Sequence, residues 1–462
     1  MKRREMTRSA GAGRAAPPVR VVHLGLGNFH RSHQCWYTEH APDAEEWGHA
    51  AFSGRDRALP ARLTAQEGLY TLVTRAAEGD RFEVIGSLAQ AYPGTAHEEW
   101  LRLLGSPQTA VVTVTITEAG YLRRPSGGLD RDRPQVRADA AALRERPDAP
   151  VRTAPARLLA GLAARCRADA GPLALVSCDD LARNGEIAVE VVRDMAELVD
   201  PGLAGWLEDN VSAVTTAADR ITPRTAPSDL LTVAEATGRD DEAPVVAEPF
   251  CEWVLCGDFP AGRPRWEDAG ATPADDITPF EQRKLWLLNG AHSLLAYAGA
   301  ILGRTTVAEA FADDDCREWV EQWWDEASAH LTQPVEEVMA YRKALAERLA
   351  NPRIHHTLAQ ISTDGSQKLP VRILPVLRAE RSAKNMPEAA ARLLGAWVCH
   401  LRGCGGQVDD VRADELIMLA TGPLPVAVRR VLDALDPRLG ADDDLAAAVT
   451  SEAERFSNIG VR

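Results

Sequence analysis

β-Branched runs alternating with helical stretches up to residue 279, a Gly-x-Gly turn directly after the first run, and helical patterning alone from residue 280 predict an α/β chain. The expected architecture is a Rossmann-type N-terminal domain followed by a mainly α-helical C-terminal domain. Residues 1–18 are expected to be a disordered tail, 19–279 the Rossmann-type domain and 280–462 the helical one.

The first element is "VRVVHLGLGNFHRSHQ" (19–34), read as a buried strand, a tight glycine turn and a helix. "WGHAAFSGRD" (47–56) reads as a second strand, and the β-branched "TAVVTVTITEAGY" (109–121) as a third. "GPLALVSCDDLARNG" (171–185) is another strand ending in a polar loop, with helices expected over 156–168 and 186–200. That alternation indicates a parallel sheet covered on both faces. "AGATPADDITPFEQ" (269–282), rich in Pro, Thr and Asp, marks the boundary. Beyond it, 315–330, 335–350, 387–402, 424–435 and 443–456 are helical in pattern.

A formal charge of −15 argues against nonspecific nucleic-acid binding through a basic surface. No run of 18 apolar residues predicts a membrane span. The basic opening "MKRREMTRSAGAGRAAPPVR" lacks the apolar segment of a secretory signal. Eight cysteines without a C-x-x-C pair suggest reduced thiols, a cytoplasmic setting and no zinc cluster.

Gly25 and Gly27 form the turn in which G-x-G signals a dinucleotide: the first permits the turn, the second a close approach to a pyrophosphate. The third fingerprint glycine is replaced by His30. At the end of the second strand Asp56 is the candidate ribose acid, but it lies between Arg55 and Arg57, so NAD and NADP both stay open.

"KLWLLNGAHS" (284–293) carries the chemistry. At about 100° per residue, Glu281, His292 and Asn289 fall roughly 60°, 80° and 140° round from Lys284, a polar stripe on an otherwise apolar helix. Apolar surroundings lower a lysine's pKa and fit it for acid/base work, while Asn289 and His292 can donate to an oxygen beside it. None of the six tyrosines has a lysine four residues on, and no zinc-ligand spacing is present. A lysine-based, metal-independent alcohol dehydrogenase is what these residues describe.

The chain resembles the polyol-specific long-chain dehydrogenases, from about residue 20 to at least 380. The resemblance rests on "GLGNFHRSHQ", "QEGLYTLVTR" (66–75), "TVTITEAGY", "LVSCDDLARNG", "ADRITPRT" (218–225), "EPFCEWV" (248–254), "KLWLLNGAHS" and "DGSQKLPVRIL" (364–374). It implies Lys284 as acid/base, Asn289 and His292 on the substrate oxygens, and Glu281 on the proton route. It also implies a nicotinamide cofactor bound through Gly25, Gly27, Asn28, Phe29, Asp56, Thr117 and Glu118, and substrate contacts from Asp219 and Lys368. "DGSQKLP" looks like the fructuronate reductase side of the family, where a cation meets a carboxylate.

The implied reaction interconverts a polyol or aldonate secondary alcohol with its ketose or keto-uronate, D-mannonate/D-fructuronate first. The alternatives are mannitol 2-dehydrogenase, mannitol-1-phosphate 5-dehydrogenase or an impaired nicotinamide-binding sensor. A monomer or small homo-oligomer is expected. One departure stands out: the family's "SCDN" reads "SCDD", so Asp180 occupies the place of an oxyanion-hole asparagine. An ionised carboxylate there opposes a developing alkoxide, and losing one such donor costs about 100- to 1,000-fold in rate.

Overall fold

The computed structural model describes residues 3–54, 56–124 and 126–459, so Arg55 lies outside the described residues. The chain forms two compact units, Met1–Ile277 and Thr278–Arg462.

The strands of the first unit are, in order, β1 (Arg4–Glu5), β2 (Val19–Leu24), β3 (Gly48–Phe52), β4 (Tyr70–Ala76), β5 (Gly79–Ile85), β6 (Leu88–Tyr92) and β7 (Val111–Val114). They continue with β8 (Leu173–Ser177), β9 (Val211–Asp219), β10 (Arg239–Asp240), β11 (Val245–Ala247), β12 (Glu252–Cys256) and β13 (Thr272–Pro273). The main sheet has the order β13-β12-β9-β8-β7-β2-β3-β6. From β6 to β9 all pairs are parallel, and only β12 runs antiparallel to its neighbour β9.

Period-two alternation explains both covered faces. Val22, Leu24, Val112, Val114 and Leu175 pack against the helices Ala154–Arg167 and Asn184–Val199. Val21, Val111, Ala174 and Val176 turn the other way, onto Tyr37, Trp253 and Trp266. From β2 the chain builds β3 and β6 on one side, then returns to place β7 on the other. The order therefore reverses at the carboxyl ends of β2 and β7, where open α/β sheets bind ligands.

Two features of this unit depart from the sequence reading. The "QEGLYTLVTR" segment, not expected to be a strand, supplies β4, which pairs with β5 as a hairpin and with β11 in a second sheet. The tail is ordered from residue 3 onward. β1 pairs with β10, and Met6 is buried with Ala12 against Leu69. The Arg8 guanidinium donates to the carbonyls of Glu67 (2.8 Å), Gly86 (2.7 Å) and Leu88 (3.1 Å), and to that of Arg14. Its fork finds these acceptors only once the hairpin has folded, a long-range match that local composition does not carry.

The second unit is mainly helical. The five expected helices are Asp314–Ser328, Val335–Leu349, Glu388–Leu401, Leu424–Leu435 and Asp443–Ile459. Shorter ones, among them Leu358–Ile361, Gly365–Arg372 and Leu374–Ser382, lie between them. Among the described residues no helix is long and apolar enough to cross a membrane, and all eight cysteines are free thiols.

Uniform α winding does not hold through the polar stripe. The helix is α over Thr278–Arg283, π over Lys284–Asn289, α over Gly290–Leu294 and π again over Leu295–Gly299. With i→i+5 winding, residues five apart lie nearly above one another, so Lys284 and Asn289 share a face rather than standing about 140° apart. Side chains take up the carbonyls that this winding loosens. Trp323 Nε1 donates to Trp286 O (2.7 Å) and Trp324 Nε1 to Leu287 O (2.9 Å). Ser293 Oγ (3.0 Å) and Arg372 Nη1 (3.4 Å) both reach Asn289 O. Gly290 is required here, because a Cβ would collide with the Trp323 indole.

Trp323→Phe keeps the ring but removes the donor from a buried carbonyl, and is expected to lower unfolding free energy by about 1–3 kcal/mol. Gly290→Ala should cost at least as much by driving the two helices apart. Urea unfolding checks both; full stability in Trp323→Phe would mean the indole bond does not hold the π turn.

Candidate active site

The crevice at the carboxyl ends of β2 and β7 is built on Gly25. Its φ is +119°, and an added Cβ would strike the Thr115 carbonyl. The amides of Gly25 and Leu26 both bond to Phe52 O at 2.9 Å, tying the turn to the end of β3. Thr115 Oγ1 donates to Gly25 O (3.0 Å) and therefore accepts from His23 Nε2 (3.0 Å). His23 Nδ1 in turn accepts from the Thr113 hydroxyl (2.7 Å). Burial pushes the His23 imidazole down to about 3, so it stays neutral and this order of donors is kept.

The missing third glycine has a physical explanation. His30 stacks on His23 with ring centroids 3.6 Å apart, filling the space between helix and strand that a glycine would close. His30 Nε2 meets His49 Nδ1 at 3.2 Å, with Cys35 Sγ 3.5 Å from His30 Nε2. These three metal-capable side chains, which sequence spacing did not bring together, are fully buried within one hydrogen-bond chain. Trp266 Nε1 donates to Thr38 Oγ1, whose hydroxyl meets His49 Nε2, each at 2.9 Å. Burial raises the Cys35 thiol to about 12 and lowers both imidazoles.

Gly27 caps the short helix Asn28–Ser32 with an extended backbone and room for a Cβ, the nearest atom being 3.5 Å away. The Asn28 side chain is spent on the fold: it donates to Pro223 O (3.2 Å) and Thr225 Oγ1 (3.3 Å) and accepts from Arg31 (2.8 Å). Phe29 stacks on His33 at 4.8 Å. Asp56 Oδ1 caps the helix Ala58–Ala65 through the amides of Ala58 (2.8 Å) and Leu59 (3.4 Å). A cavity of about 580 Å³ runs along this edge, lined by Gly25, Leu26, Gly54 and Thr115–Thr117.

Thr117 has a positive φ of 63°, a strained conformation for a β-branched residue, and Glu118 opens the 3₁₀ turn that follows. Asp179 holds that strain. Its carboxylate accepts from Ile116 N (3.1 Å), Thr117 N (2.8 Å) and the Tyr121 hydroxyl (2.6 Å). Burial is the largest influence on Asp179 and raises its pKa. Its neighbour Asp180, the departure from the family pattern, is exposed in the same loop. Asp219 is buried at the end of β9, opposite Glu252 of β12.

In the second unit Glu281 and Lys284 are half-buried, whereas Asn289 and His292 are buried. His292 meets His356 edge to face, with centroids 5.1 Å apart. Lys368, in the helix Gly365–Arg372, donates to Ile361 O (3.1 Å) and Thr363 Oγ1 (3.0 Å), leaving one of its three N–H groups. Its pKa is lowered, first by burial and then by Arg372, which outweigh Asp364, Asp409 and Asp410.

Sequence reasoning missed Asp179, His356, Arg372 and the tryptophan pair. "SCDD" drew attention to the second aspartate because that one breaks the family pattern, yet the first has the buried structural task. His356 and Arg372 carried no local signal, since both reach the stripe only through tertiary packing.

Gly25→Ala should fail to fold stably, losing several kcal/mol through clash and backbone strain. Gly27→Ala should fold with an unfolding midpoint within a few degrees of the parent. Thermal unfolding of the pair checks the contrast; equal midpoints would show that the turn yields at Gly25.

Residues 19–268 match the family model of the mannitol dehydrogenase Rossmann domain, and residues 276–436 that of the mannitol dehydrogenase C-terminal domain. The chain is 34% identical to the D-mannonate oxidoreductase of Escherichia coli over 463 residues, covering 96% of this chain and 94% of that relative. It is 36% identical to the D-arabinitol 4-dehydrogenase of Ralstonia nicotianae, over 85% of this chain and 84% of the other. The mannitol 2-dehydrogenase of Pseudomonas fluorescens, solved as a ternary complex with NAD and D-mannitol, superposes with a TM-score of 0.81 at 28% identity. That match covers 96% of this chain and 93% of the other. The glycine turn at a sheet switch point, the lysine stripe and both family matches lead to one conclusion: the chain belongs to the mannitol dehydrogenase family, oxidoreductases that act on secondary alcohols.

Proposed function

We propose that the protein is an NAD-dependent D-fructuronate reductase, interconverting D-mannonate and D-fructuronate. The observation that carries this reading is Lys368, a cation with one N–H uncommitted among the described residues, in the unit that holds the lysine stripe. A carboxylate is the group such a donor pairs with most strongly. The relationship to D-mannonate oxidoreductase along nearly the whole chain supports the same reading.

Lys284 exchanges the proton with the reacting oxygen, with Glu281 on the route to solvent. Asn289 and His292 donate to that oxygen while charge develops on it, and Asp219 contributes to substrate binding. The π winding that brings Lys284 and Asn289 to one face lets a proton donor and an amide address the same atom. The cavity along Gly25 and Thr115–Thr117 has the size of a cofactor site, and Gly27 presents a bare backbone beside it. Gly25, Gly27, Asn28, Phe29, Thr117 and Glu118 hold the dinucleotide. Given what Asn28 does in the fold, its share falls to the main chain. A nicotinamide held there would supply or accept the hydride. Asp56 favours NAD over NADP, since a carboxylate at the end of β3 can take a ribose hydroxyl. Eight free thiols fit a reducing, cytoplasmic setting.

The deciding experiment follows NADH oxidation at 340 nm with a panel of keto-uronates and hexuloses, in wild type and Lys368→Met. Fructuronate should be the best substrate, and Lys368→Met should raise its KM about 10- to 100-fold, as expected for one charge-assisted hydrogen bond. Fructose KM should change by less than about threefold. Preference for fructose in the wild type would point to mannitol 2-dehydrogenase, and no turnover at all to a sensor.

Asp180 gives a separate test. If it occupies the place of a lost oxyanion donor, Asp180→Asn should raise fructuronate reduction by about tenfold or more. A fall in activity would mean that the carboxylate binds a substrate hydroxyl. An unchanged profile across the panel would remove Asp180 from the reacting oxygen.

A further inference from the structure

His356 has not been given a role, and its surroundings suggest one. Its backbone is pinned: Val307 N bonds to His356 O at 3.0 Å, and Leu358 N to Thr305 O at 3.0 Å. Thr306 and Thr357 pair as an isolated bridge, and Thr357 caps the helix Leu358–Ile361. The loop therefore holds the imidazole in one place. Its ring stands edge to face with His292, which polarises the reacting oxygen in the proposed reaction, and it lies within the electrostatic reach of Lys368.

His356 Nδ1 is buried and has no hydrogen-bond partner among the described residues. A buried imidazole nitrogen left unpaired is destabilising, and a ligand group bonded to it would remove that cost. We propose that His356 is a substrate-binding residue whose Nδ1 holds a hydroxyl on the carbons between the reacting carbonyl and the end gripped by Lys368. The inference rests on the fructuronate reading for the order of groups along the substrate.

A hydroxyl fits this position better than a carboxylate does. It can donate to a bare nitrogen or accept from a protonated one, so either neutral tautomer of His356 is served. Burial and Lys368 both lower the His356 pKa and keep the ring neutral, leaving the charge of the substrate's far end to Lys368. The result is a row of three contacts: His292 at the reacting oxygen, His356 at an intervening hydroxyl, and Lys368 at the terminus. Such a row reads stereochemistry, because epimerising the middle carbon moves its hydroxyl away from Nδ1.

The test compares wild type, His356→Phe and His356→Gln on fructuronate and on analogues each lacking one hydroxyl. Thermal unfolding first establishes that the variants fold. His356→Phe should raise the fructuronate KM at least tenfold with kcat within about threefold, and His356→Gln, which keeps hydrogen-bonding atoms, should recover part of the loss. One deoxy analogue should bind wild type at least tenfold more weakly than fructuronate, and His356→Phe should no longer distinguish the two. A merely structural role cannot single out one analogue. A KM within twofold of wild type in a folded His356→Phe, or equal losses for every analogue in both proteins, overturns the assignment. If wild type reduces hexuloses but not keto-uronates, the fructuronate reading falls alone and the same comparison is made with deoxyhexuloses. No turnover of any keto compound overturns both.

Discussion

The stripe of Lys284, Asn289 and His292 depends on two indole hydrogen bonds. A helix wound i→i+5 is less favourable than an α-helix, because its carbonyls are poorly satisfied and its turns are wide. Here Trp323 and Trp324, adjacent and buried on one helix, deliver their N–H groups to consecutive carbonyls, Trp286 O and Leu287 O. Ser293 and Arg372 serve a third carbonyl of the same stretch, that of Asn289. Each bond contributes about 1 kcal/mol net, but leaving a buried carbonyl bare costs more, so the donors select the wide winding over the narrow one. The winding in turn sets which side chains share a face. Packing between two helices thereby becomes the alignment of an ammonium with an amide.

Unit 1 uses the same economy at its own turn. The Gly25 carbonyl is held by Thr115, Thr115 by His23, and His23 by Thr113, a chain whose order is fixed because the buried imidazole stays neutral. Across the same edge, Asp179 gathers the amides of Ile116 and Thr117 and the Tyr121 hydroxyl, offsetting the strain of a positive φ at Thr117. Both devices set the backbone along one edge of the cavity, while Arg152 and Arg157 bring positive charge to its lining. Pre-formed backbone geometry of this kind suits a cofactor that is recognised largely by main-chain groups.

Much of the fold was legible in the sequence, and the reasons differ by element. β7 and β8 were legible because strands buried on both faces are continuous apolar runs, and the five long helices because their apolar positions recur at helical spacing. The stripe residues were legible as chemistry, but their angular relation was not, since the π winding is decided by Trp323 and Trp324 some 35 residues downstream. The ordered N-terminus escaped for the same reason: Arg8 is an ordinary arginine until the hairpin presents it with carbonyls. His30 in the place of a fingerprint glycine looked like a weakness. It is a substitution whose volume is matched by a flat stack on His23.

The electrostatics of the second unit leave one of its lysines poorly compensated. Asp364 and Asp410 lie near Lys368, yet their oxygens are engaged elsewhere. Asp410 takes Ser366 N (2.8 Å) and Ser366 Oγ (2.6 Å), and Asp364 takes Val411 N (3.2 Å). They brace the 364–366 and 409–412 segments against each other instead of neutralising the ammonium by direct contact. Lys368 is thus half-buried, weakly compensated and one acceptor short among the described residues. On the proposed reading, a substrate with a carboxylate completes that shell, whereas a neutral hexitol leaves the charge under-solvated. Discrimination of this kind comes from the penalty on the wrong ligand more than from extra attraction to the right one. It requires no large pocket, only a cation that the fold declines to satisfy.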